Sequence, residues 1–323
     1  QALLSYNLGV VYQAQGLLDK ALTSYQRALS IRADLLDAQN NLGTILEQLG
    51  RFDEAAVNFR RILSINPNFV DAHTNLGKTL SGMWQYAEAI RCFRKALEVA
   101  PGFENAQDNL LLHLLYDPNA TEASLFQESR TCESKLSLPA AQAHHANERQ
   151  PDRPLRIGYV SPDFRNHSCA YFLDALFSHH DRAQFVIYAY ANVAQPDKTS
   201  GRFREMADYW HDISEINDEA AAQSIGADKI DILVDLAGRS KNHRLGIFRR
   251  KPAPIQISWL GYPGTTGVPT IDYRITDAAA DPIGPTDGHH TETLLRLDNG
   301  FHCYTPPDPS PEPGPGPVNQ NGY

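Results

Sequence analysis

Cysteine is scarce in this chain of 323 residues: Cys92, Cys132, Cys169 and Cys303 stand 40, 37 and 134 positions apart. No C-x-x-C pair and no dense disulfide framework can be drawn from that spacing, so a reducing cytoplasm is the expected setting. Basic charge is also in short supply. The 29 Lys and Arg face 38 Asp and Glu, a net charge of -9, which argues against nucleic acid as a partner. No stretch approaches the roughly 20 apolar residues of a membrane span, so no membrane partner is expected. Neither a G-x-G-x-x-G fingerprint nor a Walker loop can be found. What remains is ordinary globular composition, 42% hydrophobic and 21% charged, in a length that suits about two domains.

The first third is periodic. Leu8-Gly9, Leu42-Gly43 and Leu76-Gly77 recur at intervals of 34 residues. The same offset links Ala21, Ala55 and Ala89, then Tyr25, Phe59 and Phe93, then Ala28, Ile62 and Ala96, then Ala33, Pro67 and Pro101. Small residues let two antiparallel helices approach, an aromatic fills the gap, and proline stops the second helix. The pattern resembles the tetratricopeptide repeat. Ala33 departs from it where proline would stand, and Leu111 takes the glycine position of a fourth repeat, so residues 104 to 116 read as a continuing inner helix. Asn7, Asn41, Asn75 and Asn109 share the period, on inner helices facing the concave side of such a superhelix. A carboxamide both donates and accepts, so such a row can hold the backbone of an extended peptide. Alternatively, each amide bonds only a neighbouring helix.

Leu125, Phe126, Cys132 and Leu136 suit one more amphipathic helix with Thr121 as N-cap. Residues 137 to 154, with Pro139, Pro151 and Pro154, then read as a linker. Beyond it, β-branched runs at 155–160, 185–191, 230–237, 255–260 and 271–276 alternate with helical stretches near 170–179, 199–207, 218–226 and 242–249. That alternation predicts a parallel, Rossmann-like α/β sheet with ligands beyond the carboxyl ends of its strands. The expected organisation is repeats over 1–118, helix and linker over 119–154, the α/β domain over 155–304 and a proline-rich connector over 305–323.

Loops that follow strands therefore hold the candidate chemistry. Ser161-Pro162-Asp163-Phe164-Arg165-Asn166-His167-Ser168 follows the first strand and precedes a helix. The positive end of a helix dipole disfavours an imidazolium, so His167 suits a neutral donor, acceptor or base. A capping or buried histidine is the competing reading. Trp259-Leu260-Gly261-Tyr262-Pro263-Gly264-Thr265-Thr266-Gly267 follows another strand, and its three glycines permit close approach to a ligand or simply shape a turn. Asp231, Asp235 and Asp272 lie in or beside strands without forming an acid and base pair. The histidine pairs 144–145, 179–180 and 289–290 lack further ligands at suitable spacing, so no metal site is expected.

Together, the repeats, the run Arg156-Ile157-Gly158-Tyr159-Val160-Ser161-Pro162-Asp163-Phe164-Arg165-Asn166-His167, the run Lys251-Pro252-Ala253-Pro254-Ile255-Gln256 and the glycine-rich loop resemble the protein O-GlcNAc transferase and SPINDLY family. The resemblance implies a tetratricopeptide solenoid followed by the first half of a GT-B type glycosyltransferase. It implies inverting, metal-independent transfer from UDP-N-acetylglucosamine, with no cofactor, to Ser or Thr of proteins held as extended peptides. GDP-fucose is the sister donor. By the same resemblance His167 is the catalytic histidine. Ser168, Cys169, Leu260, Gly261 and Tyr262 lie near the donor sugar, and Asn7, Asn41, Asn75 and Asn109 bind the acceptor. His113, on the last inner helix, is a second catalytic candidate.

Departures from the family pattern accompany this. Ser168 and Cys169 stand where relatives commonly carry Pro and a small residue, and Arg239 follows Gly238 where relatives often have His or Tyr. Seven prolines fall in the twelve residues from Pro306 to Pro317, where relatives continue into a second Rossmann half that holds the nucleotide. The chain is accordingly expected to be a fragment, inactive alone. The contrasting expectation is a peptide-binding scaffold with a vestigial catalytic half.

Overall fold

The computed structural model describes residues 1–136, 141, 144–150, 152–306 and 314. Pro139, Pro151 and most of the proline-rich stretch expected to act as a connector lie outside the described residues.

Three helical hairpins come first: α1 (Ala2–Ala14) with α2 (Leu18–Ile31), α3 (Leu36–Gln48) with α4 (Phe52–Ile65), and α5 (Val70–Gly82) with α6 (Tyr86–Val99). Their glycines are set by sterics. A Cβ on Gly9, Gly43 or Gly77 would fall 2.6, 2.6 and 2.5 Å from the rings of Tyr25, Phe59 and Phe93, so the helices can close only on glycine. Each of those rings is completely buried, and truncating such an aromatic typically costs 3–5 kcal/mol. Between the paired helices, Gly16 and Gly50 turn the chain at φ 72° and 74°, while Trp84 holds the third such position at φ 62°. A left-handed tryptophan is unfavourable, and its ring is largely solvent-exposed.

Two further helices, α7 (Glu104–Leu114) and α8 (Glu122–Ser134), extend the stack. Thr121 caps α8 as its sequence suggests: its hydroxyl accepts from Ser124 N at 3.2 Å and Ser124 Oγ accepts from Thr121 N at 2.9 Å.

A seven-stranded sheet follows, built from β1 (Leu155–Ser161), β2 (Phe185–Ala191), β3 (Tyr209–Asp212), β4 (Ile232–Asp235), β5 (Ile255–Ser258), β6 (Tyr273–Thr276) and β7 (Thr293–Arg296). Every pairing is parallel, in the order β3-β2-β1-β4-β5-β6-β7. Ile157 of β1 aligns with Ile187 and Ile232, a continuous apolar row across the centre. Helices α9 (Ser168–His179), α10 (Lys198–Met206), α11 (Asp218–Ala227) and α12 (Leu245–Arg249) accompany the strands. One core gathers Tyr190, Ile225, Leu233 and Phe248, and another gathers Phe164, Leu173, Phe177 and Phe203. With both faces covered, β1 is buried along five consecutive residues.

The expected strands at 230–237 and 255–260 shorten to β4 and β5. Ile230, Leu236 and Trp259 are buried outside the ladder, and apolar burial alone does not distinguish them from strand residues. The sheet has two strands beyond those expected: β3, Tyr-Trp-His-Asp, and β7, Thr-Leu-Leu-Arg, each four residues without a clear apolar run. The helix expected over 242–249 begins at Leu245, because residues 236–244 form the loop after β4.

Candidate active site

Strand order reverses beside β1, whose neighbours β2 and β4 carry the chain to opposite edges. The carboxyl ends of β1 and β4 therefore flank the crevice where a parallel sheet receives ligands. Three loops converge there: 162–167 after β1, 236–244 after β4 and 259–272 after β5.

Phe164 anchors the first loop. Its buried ring lies 5.6, 5.4 and 5.6 Å from those of Phe177, Phe203 and Trp210. Asn166 N donates to Asp197 Oδ2 at 2.7 Å, fixing the far end against α10. His167 then caps α9, its Nδ1 accepting from Cys169 N at 3.3 Å. With Nδ1 as acceptor, the proton of the neutral ring sits on Nε2, and the side chain remains 36% exposed. The capping reading of this histidine is the one the geometry shows, with Nδ1 engaged by the helix and Nε2 on the other side of the ring.

Asp163 Oδ2 lies 3.5 Å from the same Nδ1. Burial pushes the Asp163 carboxyl above its ordinary value, against the pull of His167 and Arg165. Burial, together with Asp163, likewise pushes the Cys169 thiol up to about 11, so it is not a thiolate nucleophile at neutral pH. Ser168 is exposed.

The third loop is held under constraint. Leu260 adopts φ 76°, an outlier for a bulky side chain of the kind that collects at functional sites. A Cβ on Gly261 would stand 2.3 Å from Leu236 O, so the loops after β4 and β5 touch backbone to backbone. Buried Arg274 donates from Nη1 to Tyr262 O at 2.8 Å and Gly264 O at 3.0 Å. Buried Glu292 accepts from Thr266 N at 2.8 Å, from Thr265 Oγ1 at 2.6 Å and from the Thr266 hydroxyl. Neither residue could be picked out from the sequence, because each acts across a gap in the chain. Tyr262 was expected at the donor sugar. Its ring is instead buried, and its hydroxyl points to Leu111 O of α7 at 3.5 Å.

The loop after β4 joins the sheet to the helices. Asp235 shapes it, accepting from Ala237 N at 3.1 Å and Gly238 N at 2.8 Å. Arg239, fully buried, donates to Thr266 O at 2.7 Å, Asp108 Oδ1 at 3.1 Å and Glu133 Oε2 at 3.0 Å. It therefore stands as a structural cation that ties the loop after β4 to the helices. His243 Nε2 donates to Asp108 Oδ2 at 2.7 Å, and Arg249 bonds Glu133 through two nitrogens at 2.7 and 3.1 Å and Glu104 at 2.9 Å. Carboxylates of α7 and α8 thus meet cations of the α/β domain in a buried network.

Between them opens a cleft of ≈ 590 Å³, whose lining includes Lys78, Asn105, Asn109, Lys241 and Asn242. Among the expected asparagines, Asn109 reaches this cleft, its amide donating to Asn105 O at 2.7 Å. Asn41 donates to Tyr25 Oη at 3.4 Å and Asn75 to Asn40 Oδ1 at 3.1 Å, while Asn7 is exposed. The amide nitrogens of Asn41, Asn75 and Asn109 therefore have local partners. His113 is corrected as a catalytic candidate: its ring bonds Asn109 O and Ser81 Oγ, both at 2.6 Å, within the helical stack. Asp231 and Asp272 bind Arg153 and Lys251 and act structurally. Asp163, His167 and Cys169, whose spacing in the chain matches no common metal motif, bring their ligand atoms within 4.8 Å of one another.

Comparison with known proteins follows the same division. The profile of glycosyl transferase family 41 matches residues 121–304, more than half of the chain. Tetratricopeptide repeat profiles match residues 1–68 and 46–112. A probable UDP-N-acetylglucosamine–peptide N-acetylglucosaminyltransferase SPINDLY of Solanum lycopersicum is 39% identical over 218 residues, 66% of this chain and 23% of its own. The UDP-N-acetylglucosamine–peptide N-acetylglucosaminyltransferase of Caenorhabditis elegans is 39% identical over 155 residues, 47% of this chain and 13% of its own. A solved structure of a mutant O-GlcNAc transferase from Thermobaculum terrenum is 31% identical with TM-score 0.85, covering 95% of this chain and 59% of that one. The chain spans less than a quarter of the length of these curated relatives.

Proposed function

The chain belongs to glycosyl transferase family 41, and on that premise we propose that it serves protein O-glycosylation, transferring N-acetylglucosamine from UDP-N-acetylglucosamine to Ser or Thr hydroxyls. The observation that carries this reading is the position of His167 at the carboxyl end of β1, beside the point where the strand order reverses, within the matched segment. Acceptor polypeptides lie extended along the asparagine row and enter through the cleft at Asn109. Leu260 and Gly261 border the sugar. A cytoplasmic location is supported by four cysteines that are free thiols.

In the reaction the acceptor oxygen bonds the anomeric carbon as the bond from that carbon to the diphosphate oxygen breaks. The nucleoside diphosphate leaves with the electron pair. In its capping tautomer His167 donates from Nε2. Taking the hydroxyl proton at Nε2 requires the other tautomer, with the ring proton on Nδ1 facing Asp163 and the cap bond from Cys169 N given up.

The protein expressed with the sequence that flanks it in its gene should glycosylate a Ser-containing peptide, and His167→Ala should lower the rate by about 10² to 10⁴. An unchanged rate removes His167 from the chemistry. Transfer from GDP-fucose in place of UDP-N-acetylglucosamine would select the sister donor. Peptide binding with no affinity for either donor would select a scaffold.

A further inference from the structure

Asp163, His167 and Cys169 sit on one side of the turn that joins β1 to α9, and the Asp163 carboxylate is an unusual buried anion. It is 8% exposed, and among the described residues it accepts no hydrogen bond to its side-chain oxygens. Its ion-pair neighbours among the described residues are His167 Nδ1 at 3.5 Å and Arg165 Nη2 at 3.9 Å. A largely buried carboxylate whose oxygens keep only limited contact with solvent is poorly compensated, and a bound cation improves that balance.

We propose that Asp163, His167 and Cys169 form a regulatory site for zinc or a similar soft divalent cation. The donor set decides the ion. Imidazole nitrogen with thiol sulfur excludes magnesium and calcium, which take oxygen ligands, and one ligand each of N, O and S suits tetrahedral zinc with a fourth position open. Ligand bonds of about 2.1 Å at a tetrahedral centre place N and O about 3.4 Å apart, beside the 3.5 Å observed. The remaining ligand atoms already lie within 4.8 Å, a gap that side-chain rotation can close. On binding, the thiol proton of Cys169 passes to water and the sulfur coordinates as thiolate.

The consequence for the proposed chemistry is direct. An ion on Nδ1 takes the lone pair that otherwise accepts the cap bond from Cys169 N and fixes the proton on Nε2, so His167 remains a donor and cannot take a proton there. Zinc would act as a brake on the proposed transfer. The binding claim itself does not depend on sugar transfer, so it fails separately from the proposed function.

Cobalt(II), titrated into the full chain under reducing conditions, tests it. One equivalent should bind with a thiolate-to-cobalt charge-transfer band in the near ultraviolet, and zinc should displace it. Cys169→Ser should abolish the band. Asp163→Asn should keep the band and weaken binding at least about tenfold, the lower bound set by losses at groups that only orient ligands. Circular dichroism and thermal melting establish that each variant is folded; Cys169→Ser, conservative and only partly buried, decides the matter should Asp163→Asn fail to fold. No cobalt bound at micromolar metal, or a thiolate band that persists in Cys169→Ser, overturns the proposal.

Discussion

Arg239 Nη2 and Glu133 Oε2 meet at 3.0 Å with both side chains at least 95% buried, joining the loop after β4 to the last helix of the stack. The guanidinium also holds Asp108 at 3.1 Å and Thr266 O at 2.7 Å, so one side chain ties both helices to the loop that follows β5. Repeats and candidate active site are thereby held in one orientation, which an extended acceptor passing from one to the other requires.

Replacing Arg239 with Met should cost about 3 kcal/mol, since removing one partner leaves buried carboxylates uncompensated. Urea denaturation measures this. A loss below about 1 kcal/mol would show that His243 and Arg249 hold the junction without it.

Gly261→Ala forces a Cβ into space 2.3 Å from Leu236 O. Because the obstacle is backbone, the loops after β4 and β5 must separate, at about 1–3 kcal/mol. Thermal unfolding should show the loss, and a variant as stable as the parent would mean that the two loops slide apart freely.

Acid should weaken the junction through Asp108. Burial pushes its carboxyl up, but the hydrogen bond from His243 and the charges of His243 and Arg239 outweigh this and hold it below its ordinary value of 3.8. A depressed carboxyl contributes stability that is full above the unfolded value and disappears as pH falls through the folded one. The difference in urea stability between the parent and Asp108→Asn should therefore be constant from neutral pH to about pH 5 and shrink below the ordinary carboxyl value. A difference independent of pH down to unfolding would assign Asp108 a purely steric role.

The asparagine row is tested by peptide affinity. Asn109→Ala should weaken binding of an extended Ser-containing peptide by about fivefold, the value of roughly 1 kcal/mol for one hydrogen bond, as read by fluorescence anisotropy. Asn75 spends its amide on Asn40, and Asn75→Ala should instead lower thermal stability. Equal affinity in the Asn109 variant would confine the row to holding helices.

Much of this was legible in the sequence. Gly9, Gly43 and Gly77 announce the helical hairpins because the contact that demands glycine lies sixteen residues away within the same repeat, at Tyr25, Phe59 and Phe93. Thr121 reveals its cap, and the β1 loop its histidine, for the same reason: the physics is local. The short strands β3 and β7 escaped notice because edge and half-exposed strands show no clear apolar run.

What sequence alone determined was therefore whatever short-range sterics and periodic burial dictate: the repeats, the parallel sheet and the loops that follow its strands. Only the tertiary structure decided the partners of buried charge. Arg239 with Glu133 spans 106 residues, Glu292 with Thr266 spans 26, and Asp163 faces His167 at 3.5 Å. A charge taken out of water is stabilised by whichever opposite group the fold brings to it, and spacing along the chain carries no record of that choice.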